Sequence, residues 1–369
     1  MPDISGAGAP LTLEDLGYSD RWRALFAAHA ESGHVPARVV RGDRGSVMAA
    51  TADGVVRAGL ASRLRREAGA PEELPVTGDW VVLDPAPTHE TSLVAAVLPR
   101  ASSFRRGASG TESVLQVVAA NVDVVFVVHP IDRGRNPRRL ERELALAWES
   151  GAVPVVVLAK ADLADEPEPT RLEAEEVARG SDVVLTSAVS GLGLEALRAY
   201  ATRGQTVALI GPSGAGKSTI INALLGEERQ ATASVRAGDG RGRHTTVTRE
   251  LVPLPGGGVL LDTPGLRAVA MVEAPAGLAA AFDDIESLAR GCRFTDCAHD
   301  GEPGCAVAAA VAAGELAGER LASWHKLQRE AQVAAMRNDV RLRQEEVRKW
   351  KIIHKSARQF YRNKGRDRE

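Results

Sequence analysis

Gly211-Pro212-Ser213-Gly214-Ala215-Gly216-Lys217-Ser218 is the stretch on which the fold turns. The apolar run Val207 to Ile210 precedes it and Thr219-Ile220-Ile221-Asn222-Ala223-Leu224-Leu225 follows as a helical run, so this is a phosphate-binding loop in the strand, loop, helix context it requires. Its glycines let backbone N–H groups wrap phosphates, and the start of the next helix adds a favourable dipole. On this reading Gly211 through Thr219 bind a nucleotide. Lys217 reaches the β- and γ-phosphates, and the Ser218 hydroxyl ligates Mg²⁺.

The signal continues on both sides. Downstream, Leu260-Leu261-Asp262-Thr263-Pro264-Gly265 places an acid at the end of a buried strand, 45 residues after Lys217. A P-loop NTPase holds Mg²⁺ through a water at such an Asp262, and the Gly265 N–H can meet the γ-phosphate. Between them, Arg236 to Thr246 interleaves Gly238, Gly240 and Gly242 with Arg241, Arg243 and His244 and ends in Thr245-Thr246. That is the place of a first switch, whose Thr246 would bind Mg²⁺ and sense the γ-phosphate. A glycine-rich surface loop is the plainer alternative.

Upstream, Val155-Val156-Val157-Leu158-Ala159-Lys160-Ala161-Asp162 ends a strand in AKAD. The Asp162 carboxylate can accept from both N1–H and N2–H₂ of guanine, the Lys160 stem can lie along the ring, and Thr186-Ser187-Ala188 can present backbone to O6. A strand followed by Lys-x-Asp also arises by chance. Lysine usage argues against chance: there are seven lysines against 39 arginines, and Lys160 and Lys217 are the two that precede Lys326.

At 369 residues the chain should form two or three domains. With 44% hydrophobic and 25% charged residues it excludes the disordered, collagenous and membrane classes. No window reaches about 18 uninterrupted apolar residues, and Met1 to Trp22 carries acids where a secretory signal would be apolar, so a cytoplasmic protein is expected. Short β-rich pieces at Ala37–Val40, Gly54–Ala58, Asp79–Leu83 and Ser92–Leu98 suggest a small barrel of about five strands, OB-like among the possibilities. From Val122 onward buried strands alternate with helical stretches, which implies a doubly wound α/β domain. The reading divides the chain into a leader (1–34), an OB-like β-barrel (35–106), a P-loop α/β domain (107–281) and a helical domain (282–369).

All three cysteines fall in Cys292-x₄-Cys297-x-His299-x₅-Cys305. Three thiolates and an imidazole suit one closed, structural Zn²⁺ site, and a reducing compartment disfavours disulfides. The net charge of -2 hides a basic tail: Arg341 to Glu369 holds 11 Lys and Arg against four acids, with Trp350, Phe360 and Tyr361 among them. It reads as an RNA-facing segment or as a solvated helix.

The order of motifs is base recognition, phosphate loop, first switch, second switch, a rotation of the Ras-like order. This resembles the circularly permuted GTPases. With a barrel before and a Cys/His cluster after, the chain is similar to the ribosome small subunit-dependent GTPase A (RsgA) family, also in Val76-Thr77-Gly78-Asp79-Trp80-Val81, in Leu98-Pro99-Arg100 to Phe104-Arg105-Arg106, and in Ala120-Asn121-Val122-Asp123. The resemblance implies a GTP hydrolase that binds the 30S subunit late in assembly, docks its barrel and zinc domain on 16S rRNA, and leaves after ribosome-stimulated hydrolysis, as a monomer. It implies the same zinc site. It also places His244 where the family orients the attacking water, since Leu266 and Arg267 follow Gly265 where a Ras-like enzyme carries Gln. Ala159 departs from the family's usual Asn and removes a hydrogen bond to base or P-loop. The rivals are a nucleotide-gated ribosome-binding module with negligible turnover and a P-loop ATPase or kinase.

Overall fold

The computed structural model describes residues 12–31, 33–43, 45–85, 91–107, 115–133, 136–227, 249–262 and 275–338. The first helix, α1 (Asp20–His29), buries Trp22. After it the chain winds β1 (Val35–Asp43), β2 (Ser46–Thr51), β3 (Gly54–Leu60), a short helix α2 (Ser62–Glu67), β4 (Trp80–Asp84) and β5 (Ser92–Val97). β1 pairs with β2 and with β4, β2 with β3, β3 in parallel with β5, and β5 with β4. The ring therefore closes in the order 1-2-3-5-4-1, and the strand order decides for an OB-like barrel where strand counting could not. Its interior is filled from alternate positions, such as Ala37 and Val39, Val47 and Ala49, and Val81 and Leu83.

A hairpin of β6 (Ser103–Gly107) and β7 (Leu115–Ala120) leads into the second sheet. There β8 (Val124–Pro130), α3 (Pro137–Glu149), β9 (Val153–Ala159), α4 (Pro167–Val177), β10 (Asp182–Thr186), α5 (Leu194–Tyr200), β11 (Thr206–Ile210) and α6 (Lys217–Leu225) alternate, followed by β12 (Glu250–Pro253) and β13 (Val259–Asp262). The strand order is β10-β9-β8-β11-β13-β12. All pairs are parallel except β12 with β13. The strands read as near-continuous apolar runs because helices cover both faces.

The two sheets are not separate. Strand β12 also pairs with β1, at Arg41 and Glu250, so eleven strands form one hydrogen-bonded sheet. The Thr77 hydroxyl donates to the Arg249 carbonyl at 3.3 Å beside that seam. Gly78 has φ +96°, and a Cβ there would lie 2.0 Å from the Ala120 carbonyl oxygen, so only glycine permits this approach of barrel to α/β domain. Asn121, itself at φ 54°, donates to the Gly78 carbonyl and accepts from the Ala101 amide. The buried Asp79 carboxylate takes both ends of the Arg100 guanidinium at 2.8 Å. Burial nonetheless pushes its pKa up, with Arg100 pulling it back down.

The centre of this joint is Arg38, fully buried on β1. Its guanidinium donates to the Leu16 carbonyl, to the Asn121 carbonyl at 3.0 Å and to the Thr206 hydroxyl at 2.8 Å, and lies 5.3 Å from the Trp80 ring. Burial lowers its pKa to about 10, with Asp123 and Asp79 opposing, so it stays cationic at neutral pH. Within residues 12–31, ahead of β1, Leu13, Leu16 and Trp22 are buried, and Tyr18 and Trp22 pack against Trp80.

Beyond β13 the described chain is helical: α7 (Pro275–Ala281), α8 (Asp283–Ala289), α9 (Ala306–Ala313) and α10 (Gly318–Asn338). The alanine-rich helix α9 stops at Ala313, where Gly314 turns left-handed at φ 76° and caps it. These helices share a core with α3. Arg320 fastens them, reaching Asp284 at 2.6 Å and Glu141 at 3.0 Å and covering the Phe282 ring at 4.8 Å. Among the described residues no helix is long and apolar enough to cross a membrane. The basic tail from Arg341, with Trp350, Phe360 and Tyr361, lies outside the described residues.

Candidate nucleotide site and metal centre

Parallel pairing sets the site. β11 is flanked by β8 and β13, and its end at Ile210 opens into the glycine loop. Gly211 leaves the strand at φ +134°, with a hypothetical Cβ 2.2 Å from the Val128 carbonyl oxygen, so the loop starts hard against β8. Gly214 and Gly216 are also left-handed, and Gly216 caps α6. A side chain at any of the three would be strained, which is why the loop alternates as it does. Lys217, the first residue of α6, folds back over the loop, and its Nζ donates to the Gly211 and Pro212 carbonyls at 2.8 and 2.6 Å. Ala215 beneath is fully buried. Ser218 and Thr219 follow in the first turn of α6, half-buried. Asp262 ends β13, one step past the Ala208 and Leu261 pair, level with the strand that feeds the loop.

The base-motif residues come to the same edge. Thr186 and Ala159 are direct partners at the ends of β10 and β9. Ala159 is buried and Asp162 exposed. Lys160 is left-handed at φ 63° and its Nζ meets the Asp132 carboxylate at 2.8 Å. A Cβ added to Gly216 would lie 3.7 Å from Ala159 Cβ and 4.0 Å from Lys160 Cγ, so base motif and phosphate loop are close neighbours. Ser187 is buried, its hydroxyl accepting from the Ser190 amide at 3.1 Å and its own amide donating to Leu192 at 3.0 Å, which fixes the turn carrying Ala188. The Thr186 hydroxyl is buried with no partner among the described residues. His244, Thr245, Thr246, Gly265, Leu266 and Arg267 lie outside the described residues.

The second constellation is compact. Cys292 Sγ and Cys305 Sγ are 3.9 Å apart and each is 3.6 Å from His299 Nδ1; all four ligand atoms, Cys297 included, lie within 4.8 Å of one another. A tetrahedral ion with bonds of about 2.3 Å to sulfur and about 2.0–2.1 Å to nitrogen needs S···S edges of about 3.8 Å and S···N edges of about 3.6 Å. The four residues therefore can hold one metal ion as they stand. The backbone prepares them: His299 is left-handed at φ 63°, Cys305 caps α9 by accepting from the Ala308 amide, and Glu302 accepts from the Ala298 and Asp300 amides. Burial holds the His299 pKa down, which favours the neutral imidazole a metal ligand needs. Burial and then the neighbouring thiols push Cys297 up to about 12. Such crowded thiols need a cation before they can all be thiolates.

Asp132, Arg38, Glu302 and Trp324, whose ring lies 5.2 Å from His299, carry no motif and were not legible beforehand.

A family model for the RsgA GTPase matches residues 97–272. A Streptomyces coelicolor protein named small ribosomal subunit biogenesis GTPase RsgA is 46% identical over 356 residues, which cover 95% of this chain and 95% of the relative. The chain belongs to the RsgA GTPase family. A relative of the same name from Opitutus terrae is 43% identical over 366 residues and is covered in full. Among solved structures, YjeQ from Thermotoga maritima is 27% identical with a TM-score of 0.62, covering 81% of this chain and 98% of that one. YloQ, described as a circularly permuted GTPase, shares the fold at 22% identity and a TM-score of 0.59, over 82% of this chain and 97% of its own. Membership makes the chain a GTPase.

Proposed function

We propose that this RsgA-family chain hydrolyses GTP to GDP and phosphate while bound to the small ribosomal subunit late in its assembly, with its barrel and C-terminal domain on 16S rRNA, and leaves the subunit after hydrolysis. The observation that carries the reading is the nearness of Gly216 to Ala159 and Lys160, where an added Cβ would sit at van der Waals distance from both; it supports one site for phosphate loop and base motif despite their reversed order in sequence. Relatives covering nearly the whole chain bear the name of small ribosomal subunit biogenesis GTPases, which supports the partner.

In this reading Asp162 accepts from guanine, Lys160 lies along the ring, and Ser187 and Ala188 offer backbone to O6. The Gly211 to Thr219 loop cradles the phosphates, where Lys217 can exchange its two carbonyl partners for phosphate oxygens. Ser218, Thr246 and Asp262 hold Mg²⁺, which supplies charge neutralisation at the phosphates, and the Gly265 N–H meets the γ-phosphate. His244 orients the attacking water. The metal held by Cys292, Cys297, His299 and Cys305 is one Zn²⁺, because three thiolates and an imidazole are its preferred donors and four protein ligands leave no open position. The protein works as a cytoplasmic monomer, divided near 35, 107 and 282 into barrel, GTPase and zinc-binding domains.

The test compares GTP with ATP binding, and GTP turnover with and without 30S subunits. The expected result is GTP selectivity and slow hydrolysis that rises steeply on adding 30S. Equal ATP binding would return the chain to the ATPase or kinase class, and tight GTP binding without turnover on 30S would make it a nucleotide-gated module.

A further inference from the structure

Lys160 adopts a left-handed backbone, a conformation that a lysine does not choose for itself. What surrounds it must therefore hold it there. The Leu163 amide donates to the Lys160 carbonyl at 3.0 Å, closing the turn that carries Asp162. The Lys160 stem faces Gly216 of the phosphate loop. Its ammonium is taken by Asp132, at 2.8 Å, from the turn Ile131–Arg133 that follows the neighbouring strand β8. Both side chains are about three-quarters buried, at 27% and 23% exposure, so the pair is partly shielded from water. The ion pair thus ties the base-motif turn on β9 to a turn on β8 that carries no recognised nucleotide motif.

We infer that Asp132 is a positioning residue for guanine-nucleotide binding: by holding the Lys160 ammonium it sets the line of the lysine stem along which the base lies. Asp132 touches neither base nor phosphate in this assignment and acts through Lys160. The inference rests on the reading of Lys160 as part of the base site. It concerns the base end, so GDP and GTP should feel it alike. It also gives Ala159 a context: with an alanine before Lys160, the turn is held at the Lys160 side chain from outside the motif.

The test measures affinities of the full-length protein for fluorescent GDP and for a non-hydrolysable GTP analogue. Losing a half-shielded ion pair should weaken both by the same factor, about two- to fivefold for Asp132→Ala, with Asp132→Glu recovering most of it. Asp132→Lys, which sets like charges side by side, should cost about tenfold or more, and the gap between wild type and Asp132→Ala should shrink in 1 M salt, where screening acts within about 3 Å. Unchanged or tighter binding in Asp132→Ala would overturn the inference, as would weakening confined to the GTP analogue. Failure of the parent reading looks different: the wild type would then bind no guanine nucleotide, or ATP equally well, before any variant is compared.

Discussion

Replacing Arg38 by Met keeps the apolar stem and its packing on Trp80 while removing the guanidinium from the joint between leader, barrel and GTPase domain. Two buried carbonyls, Leu16 and Asn121, then lose the donor described for them, whereas the Gly78 carbonyl, which Arg38 Nε also reaches at 3.4 Å, keeps Asn121. Each unpaired buried acceptor costs about 1–3 kcal/mol. Burial raises the pKa values of Asp123 and Asp79, and both lose a cation that opposes this, although Asp79 keeps Arg100; relief of the buried charge's desolvation works the other way. The net expectation is a loss of about 3–5 kcal/mol. Urea unfolding followed by tryptophan emission reads it directly, because Trp80 lies against Arg38 and Trp22 packs on Trp80. Arg57→Met serves as control: its ion pair with Asp43 is 61% exposed on the arginine side, so it should shift stability by less than about 0.5 kcal/mol. If Arg38→Met unfolded within that same margin of wild type, the joint would owe its stability to apolar packing and the account of Arg38 would be wrong.

Purified protein should carry about one tightly held zinc per chain, and metal analysis of Cys297→Ser should show it lost or loosely bound; unchanged content would sink the four-ligand assignment. Asp162→Asn should lose GTP affinity by about 10- to 150-fold, the worth of a charge-assisted hydrogen-bond pair, and gain XTP, whose acceptor replaces the exocyclic amine; untouched GTP binding would remove Asp162 from the base site. Lys217→Ala should abolish nucleotide binding or turnover, since its ammonium is the one that folds back onto the Gly211 and Pro212 carbonyls of the loop. His244→Ala should keep GTP and 30S binding yet lose about 100-fold of the 30S-stimulated rate in single-turnover assays, and full stimulation would leave water positioning to the backbone or the ribosome.

Much of the site was legible because its chemistry is local. Phosphate loop, AKAD turn and Cys/His window are short segments whose residue types suit the ligands proposed for them, and the apolar runs of β8, β9 and β11 are buried on both sides. What escaped notice depends on partners far away in sequence. β2, Ser46–Thr51, has Met48-Ala49-Ala50 at its centre, which advertises no strand, and it is one because β1 and β3 pair with it on either side. β12 is four residues long and ends in a proline, and it is a strand because β1 and β13 lie on either side. Arg38 reads as one more surface arginine until its partners, up to 168 residues away, enclose it. Asp132 is invisible for the same reason: nothing near it in sequence names Lys160 as its partner.

The eleven-strand sheet makes the barrel and the GTPase domain a doubly hinged assembly. One hinge is covalent, through the β6–β7 hairpin, and the other is the hydrogen-bonded seam between β1 and β12. A panel hung at two edges resists swinging, so a push on the barrel arrives as shear along β12. That strand begins four residues after Thr246 and runs back to back with the strand ending in Asp262. A load borne by the barrel would thereby reach β12, in the stretch of chain between Thr246 and Asp262, two of the three proposed magnesium ligands.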